Sequence, residues 1–380
     1  MNGAAKPVFV LASGGTGGHV FPAEALAEAL IARGARPVLF TDRRGGNFSG
    51  ALSQVDICRI WSGGIAGLGR WRRVRSLVAL GFGCVQALIR LRRVAPKAVV
   101  GFGGYASLPT VFAASIGGYR TLVHEQNAVL GRANRMLAGR VDRVATAFAA
   151  VERVPESAEE KITRIGMPVR RAFCVERDRP YEPPAHGEPV RLLILGGSQG
   201  AQVFSAVIPA AIASLPNDLK ARLRITQQCR PENLDAAEAL YRQAGINAEL
   251  ASFFSDVPRR LGEAHLLIGR SGASTVAELT ALGRPAILIP YPFAIDDHQA
   301  ANAQALAAAG AAQVIPQSEF SPERLAEVLR AILENPGKLT AMAAVSREMG
   351  VPEAGQRLAD LVFEVAGEGD SNALRHEGTV

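Results

Sequence analysis

The segment GGTGGH, residues 14–19, stands between an apolar run, PVFVLAS, and an alanine-rich helical stretch, PAEALAEALIARG. A helix start exposes backbone N–H groups at the positive end of the helix dipole, so it suits an anion. Glycines let that backbone approach a phosphate or sugar with no Cβ in the way. Alone, the segment reads equally as a tight strand-to-helix turn. Three further glycine turns, GFGGY (101–105), GGSQGA (196–201) and GRSGAS (269–274), follow other apolar runs. In open α/β sheets ligands collect beyond the carboxyl ends of strands, so these turns are expected to converge on one cleft between domains.

The richest stretch is GRSGASTVAELTALGRP, residues 269–285. Ser271 to Thr275 open a helix and would present amides and hydroxyls to a diphosphate. Glu278 lies one turn further, placed to accept hydrogen bonds from a ribose diol; the plain alternative is a solvated helix glutamate. Farther on, YPFAIDDHQAANA supplies His298 and Gln299. The Gln299 amide can read a sugar hydroxyl as donor and as acceptor. No DxD pair is present to hold a divalent ion, and neither the six histidines nor the four cysteines show metal-ligand spacing. No metal and no cofactor are therefore expected, and helix amides with Arg170 would neutralise a leaving diphosphate. The absence of GxxxxGK[ST] argues against ordinary phosphoryl transfer from ATP.

Short β-branched runs alternate with alanine- and leucine-rich helical segments throughout, which implies parallel strands joined by crossover helices, an α/β fold. The pattern then restarts. After a proline- and charge-rich linker, VRLLILGGSQGAQVFSAVIPAAIASL repeats the strand, glycine turn and helix of the opening segment. At 380 residues, 48% hydrophobic and 20% charged, the chain suits two core-forming domains. Expected boundaries are 1–165 and 166–350, then a helix at 351–367 packing back on the first domain, and a polar tail at 368–380. No secretory signal is visible, and the scattered cysteines read as buried thiols in a reducing cytoplasm.

The net charge of +7 is unevenly spread. Between Ile57 and His124 there is no Asp or Glu, while Arg59, Arg70, Arg72, Arg73, Arg75, Arg90, Arg92, Arg93, Lys97 and Arg120 all fall there. The apolar stretch from Leu77 to Ile89 is too short to span a bilayer. A basic rim around apolar residues suits an anionic membrane surface. A buried helix with solvated arginine ends is the alternative. Nucleic acid is disfavoured, because aromatic interleaving among the basic residues from Arg59 to Lys97 is thin, with Trp61, Trp71 and Phe82 only.

The ordered set GGTGGH (14–19), GFGGYASLP (101–109), HEQN (124–127) with GRANR (131–135), GGSQGA (196–201) and RSGASTVAE (270–278) resembles the MurG family over about residues 7–365. These bacterial transferases move N-acetylglucosamine (GlcNAc) from UDP-GlcNAc onto lipid I, undecaprenyl-pyrophosphoryl-MurNAc-pentapeptide, to make lipid II. The resemblance implies a GT-B fold, two Rossmann-like domains facing across a deep cleft. Donor would bind mainly to the C-terminal domain and acceptor lipid to the N-terminal one. It places the chain peripherally at the cytoplasmic face of the inner membrane, with a cell-wall or division complex as candidate partner.

Carried over position by position, Thr16, Gly17 and Gly18 would face the sugar and diphosphate, and Asn127 the GlcNAc region. Arg170 and Ser198 would approach the diphosphate, and Phe254 would flank uracil through its backbone. Ala273, Ser274, Thr275, Val276, Ala277 and Glu278 would hold nucleotide and ribose, and Gln299 the GlcNAc hydroxyls. Tyr105 and Ser107 would line the acceptor's pyrophosphate side. Inverting transfer needs a base for the incoming hydroxyl. His19 is the first candidate, kept neutral at a helix mouth, and Glu125 is the second, as base or orienting carboxylate. Two positions depart from the family pattern: Met167, where asparagine is usual, and Gln227, where a loop histidine is usual. Kindred readings are a UDP-GlcNAc 2-epimerase, a transferase acting on another lipid, and a silent nucleotide-sugar-binding module on a membrane.

Overall fold

The computed structural model describes residues 6–14, 17–42, 48, 50–63, 70–185, 187–197 and 200–368. The chain divides into two compact units, one comprising residues up to Pro168 together with those from Glu353, the other Val169–Pro352.

In the first unit the order is β1 (Val8–Ala12), α1 (Gly17–Ala32), β2 (Arg36–Thr41), β3 (Asp56–Arg59), α2 (Arg70–Val94), β4 (Ala98–Gly101), α3 (Gly104–Ile116), β5 (Arg120–Glu125), α4 (Arg132–Leu137), β6 (Arg143–Thr146) and β7 (Ile162–Arg164). The described strands form one sheet in the order β3-β2-β1-β4-β5-β6-β7. All pairings are parallel, with Val10 opposite Val38 on one side and Val99 on the other. Strands buried on both faces need apolar residues at every position, which is why β1 reads VFVLA without alternation. One face packs Phe9, Leu11 and Val100 against Leu26 and Leu30 of α1; the other packs Val10, Phe40 and Val99 against Leu91, Val111 and Ala114. Each large apolar side chain fully removed from water there contributes ~2–3 kcal/mol.

The second unit runs α5 (Arg171–Glu176), β8 (Val190–Leu195), α6 (Gln202–Ala213), α7 (Asn217–Arg222), β9 (Leu223–Gln228), α8 (Leu234–Gln243), β10 (Ala248–Ala251), α9 (Val257–Glu263), β11 (Leu266–Gly269), α10 (Ala273–Leu282), β12 (Ala286–Leu288), α11 (His298–Ala309), β13 (Ala312–Val314), α12 (Pro322–Leu333) and α13 (Pro336–Met349). Its sheet is also parallel, in the order β10-β9-β8-β11-β12-β13. The last helix, α14 (Ala354–Val365), belongs to the first unit. Its Leu358, Ala359 and Val362 are fully buried in the α1 core, and Asp360 pairs with Arg33 at 2.6 Å.

Both sheets start in the middle and wind outward in two directions. The direction reverses between β1 and β4 in one unit and between β8 and β11 in the other. At such a switch point the two neighbouring strands send their helices to opposite faces, which leaves a crevice at their carboxyl ends. The described residues of all four glycine turns lie there.

Candidate active site

At the β1/β4 switch point α1 and α3 start side by side. Gly103 and Gly104 precede and open α3 with φ of 82° and 69°, conformations a β-carbon disfavours. A Cβ at either position would also lie 3.3–3.4 Å from the His19 ring, so the glycines bring backbone against imidazole. His19 is partly exposed, and its backbone carbonyl accepts a 2.9 Å bond from Ser13 Oγ. Its Nδ1 lies 3.1 Å from Oε1 of the buried Gln126. Gln126 in turn touches His124, whose ring is fully buried. Burial pulls the His124 pKa down to about 4, with a smaller push the same way from the neighbouring His19. The ring is therefore neutral at working pH.

Glu125, the second base candidate, is 1% exposed. One carboxylate oxygen accepts from the Asn127 backbone and side-chain nitrogens at 3.1 Å each, the other from Gly131 N and Asn134 Nδ2 at 2.8 Å each. Four donors occupy this carboxylate, so its geometry is that of an anchor for the 125–134 loop, not of a base. Asn127 is thereby held just beyond the carboxyl end of β5. Tyr105 is half-buried, whereas Ser107 is fully buried and its hydroxyl donates to Gly104 O at 3.1 Å. Ser107 shapes the turn rather than facing a ligand. Gly17 opens α1, and Gly18 is exposed, with open space where a Cβ would stand. Thr16 and Ser198 lie outside the described residues.

The second unit's switch point carries the other group. α10 begins after Gly272 with no side-chain cap, and Ala273, Ser274 and Thr275 are partly exposed on its first turn, so their amides are available to an anion. Val276 turns its side chain into the core and Ala277 is half-buried. Glu278 Oε1 lies 3.2 Å from Arg170 Nη2, and the Arg170 guanidinium stands 5.0 Å over the Phe173 ring. Burial raises the Glu278 pKa to about 7, against the opposing pull of Arg170.

A carboxyl that holds its proton more tightly when folded favours the fold at low pH. From an ordinary 4.5 to about 7, that contribution is full below pH 4.5 and lost as pH rises through 7. Above pH 7 the buried charge costs about 3 kcal/mol. Glu278→Gln is thus expected to raise stability at pH 8 by roughly 2–3 kcal/mol, read as a higher thermal midpoint, and at pH 5 by less than about 1 kcal/mol. Equal shifts at both pH values would refute this account.

Gln299 sits on the first turn of α11. Its Oε1 accepts from Tyr291 N at 3.0 Å, and its own carbonyl accepts from Ser271 Oγ at 2.7 Å. One lone pair of the amide oxygen is engaged by the loop, so Gln299 keeps its NH2 group and a second lone pair for a ligand hydroxyl. The Phe254 ring is buried beneath the Arg260 guanidinium at 4.4 Å, leaving its backbone as the part able to meet a base. Gln227 corrects an expectation: it lies within β9, not in a loop. It is fully buried, accepts from Tyr241 Oη at 2.6 Å and donates to Cys229 Sγ at 3.2 Å. It is core, not nucleotide site. Met167 is likewise buried and apolar. A cavity of about 390 Å³ lies toward the amino ends of β8 and β9, with Arg191, Arg224, Glu249 and Glu263 in its lining, and it shares Arg260 with the Phe254 contact.

Residues 9–146 match the glycosyltransferase family 28 N-terminal domain and residues 191–358 its C-terminal domain. A protein of Paramagnetospirillum magneticum named UDP-N-acetylglucosamine–N-acetylmuramyl-(pentapeptide) pyrophosphoryl-undecaprenol N-acetylglucosamine transferase is 53% identical over 357 residues, 94% of this chain and 96% of that one. A Rhodospirillum rubrum protein of the same name is 53% identical over 94% of this chain and 91% of its own. The crystal structure of Acinetobacter baumannii MurG superposes with a TM-score of 0.76 at 30% identity, covering 94% of this chain and 99% of that one. With two parallel-sheet α/β domains of the GT-B type, this chain belongs to the MurG family of glycosyltransferases.

Proposed function

We infer that the protein transfers GlcNAc from UDP-GlcNAc to the C4 hydroxyl of MurNAc in lipid I, with inversion, giving lipid II and UDP. The observation that carries this reading is identity above 50% along nearly the whole chain to transferases of that printed activity. In the transfer, the acceptor oxygen attacks the anomeric carbon as the bond from that carbon to the diphosphate oxygen breaks. The hydroxyl proton passes to His19 and the electron pair leaves with UDP. The partly exposed imidazole beside two glycines supports His19 as base. The uncapped start of α10 with Arg170 supports a diphosphate seat, where the departing charge meets N–H dipoles fixed in advance. Glu278 would accept from the ribose diol once Arg170 turns to phosphate. Gln299 would donate to a GlcNAc hydroxyl, and Asn127 and Tyr105 would face sugar and acceptor.

We further propose peripheral attachment to the cytoplasmic face of an anionic inner membrane through α2. Val78, Phe82, Val85 and Ile89 are 52%, 69%, 60% and 47% exposed and fall on one helix face. Exposed Arg92 and Arg93 follow one turn beyond. Among the described residues no helix is long and apolar enough to cross a membrane.

The test is incubation of the purified protein with radiolabelled UDP-GlcNAc, with and without lipid I in detergent. Label is expected in the organic phase only when lipid I is present. Donor binding without transfer would overturn the assignment and direct attention to epimerisation or another acceptor.

A further inference from the structure

Four groups behind His19 form a directional chain. Gln126 Nε2 lies 3.0 Å from Phe102 O, 2.9 Å from His124 O and 3.1 Å from His124 Nδ1. Two of these partners are carbonyl oxygens, which only accept, so this end of the amide is its NH2 group. A flipped amide would set its oxygen against both carbonyls in a site that is 1% exposed. Oε1 is therefore the end that faces His19 Nδ1 at 3.1 Å, and an amide oxygen only accepts. On the far side, His124 Nε2 lies 3.0 Å from Gly166 O, so it carries the His124 proton and leaves Nδ1 to accept from Gln126.

We propose that Gln126, held by the Phe102 carbonyl and by His124, is a positioning residue that fixes His19 as the Nδ1-protonated tautomer, with Nε2 as its basic nitrogen. The proposal rests on His19 as the base. A free imidazole favours its proton on the other nitrogen, so without the Oε1 acceptor the ring would largely present N–H where the reaction needs a lone pair. The low pKa of His124 matters here because a charged His124 would have to donate from Nδ1 and would turn the amide around. Gln126 thus does for His19 what a carboxylate does in other catalytic histidine pairs, without adding a buried charge.

The test is 15N spectroscopy of the full-length protein with labelled histidines, the His19 signals being assigned with His19→Ala. Wild type should show His19 protonated on Nδ1 and His124 on Nε2. In Gln126→Leu, His19 should lose that preference, with kcat falling about 10- to 100-fold and KM for UDP-GlcNAc within about twofold. A wild-type His19 protonated on Nε2 would overturn the proposal, and this measurement stands even if Gln126→Leu does not fold. So would an unchanged tautomer and kcat in Gln126→Leu. Unimpaired turnover in His19→Ala would instead remove the base reading, while the wild-type spectrum would still report on the hydrogen-bond chain.

Discussion

His19→Ala should lower turnover by about 10²–10⁴, the usual range for loss of a general base, while UDP affinity stays within about threefold. The two readouts separate because the residues proposed to hold the nucleotide, Ala273 to Glu278 with Phe254, belong to the second unit, whereas His19 lies on the first turn of α1 in the first. Structural damage is expected to be small. The imidazole is partly exposed, stands beside Gly103 and Gly104, and has the Gln126 amide among its partners. The alanine variant also leaves an imidazole-sized space open to solvent beside two glycines. Added imidazole should therefore restore part of the lost rate in a saturable manner, with a pH dependence that follows the added base. A merely structural His19 would show no such rescue, and unchanged turnover would exclude it as the base. Glu125→Gln should behave differently. The variant places an NH2 group against donors in a site that supplies four of them, so lost stability should accompany lost activity.

The alternation of strands and helices could be read directly, because strands buried on both faces announce themselves as unbroken apolar runs. β1, β2 and β4 do so plainly, whereas β5 keeps only Leu122 and Val123 between polar residues and Arg191 interrupts β8. β3 could not be read that way. Asp56–Arg59 is an edge strand with mostly exposed side chains, so no hydrophobic pattern marks it. β9 was hidden for the opposite reason. Its Gln227 and Gln228 look like loop residues, yet Gln227 is satisfied inside the core by Tyr241 and Cys229, partners set by tertiary packing. The glycine turns pointed to the correct strand ends because that inference needs only local geometry and the parallel topology. What escaped was the direction of hydrogen bonds. Gln126 stands within HEQN, but only the Phe102 carbonyl, brought beside it by the β4–β5 pairing, says which way its amide points. Ser107 and Glu125 have the residue types of ligand contacts and spend them on the backbone of their own loops. Side-chain type names the chemistry available; partners distant in sequence decide whether it faces inward or toward a ligand.

Replacing Val78, Phe82 and Val85 together with serine should weaken binding to vesicles containing anionic lipid by about 100-fold. Each apolar side chain is worth ~1.5–3 kcal/mol when fully buried. These three are 52–69% exposed, so immersion adds ~1 kcal/mol apiece and the three sum to ~3 kcal/mol, about two decades of partition. Their exposure also means that the fold loses little, so the melting temperature should hold. Arg90, Arg92 and Arg93 act by a different term. An arginine near an anionic surface contributes ~1 kcal/mol, and that part is screened by salt within a Debye length. Charge reversal at those positions should therefore cut binding at low salt and matter little at 1 M, whereas the serine triple should be defective at both. Neutral vesicles should bind wild type weakly and distinguish the two variants little. If the triple variant still partitions like wild type, α2 is not the membrane face and its apolar stripe must serve another contact. If binding is lost and transfer to detergent-solubilised lipid I is retained, the stripe delivers the enzyme to the surface where its lipid substrate is held, and the chemistry proceeds without it.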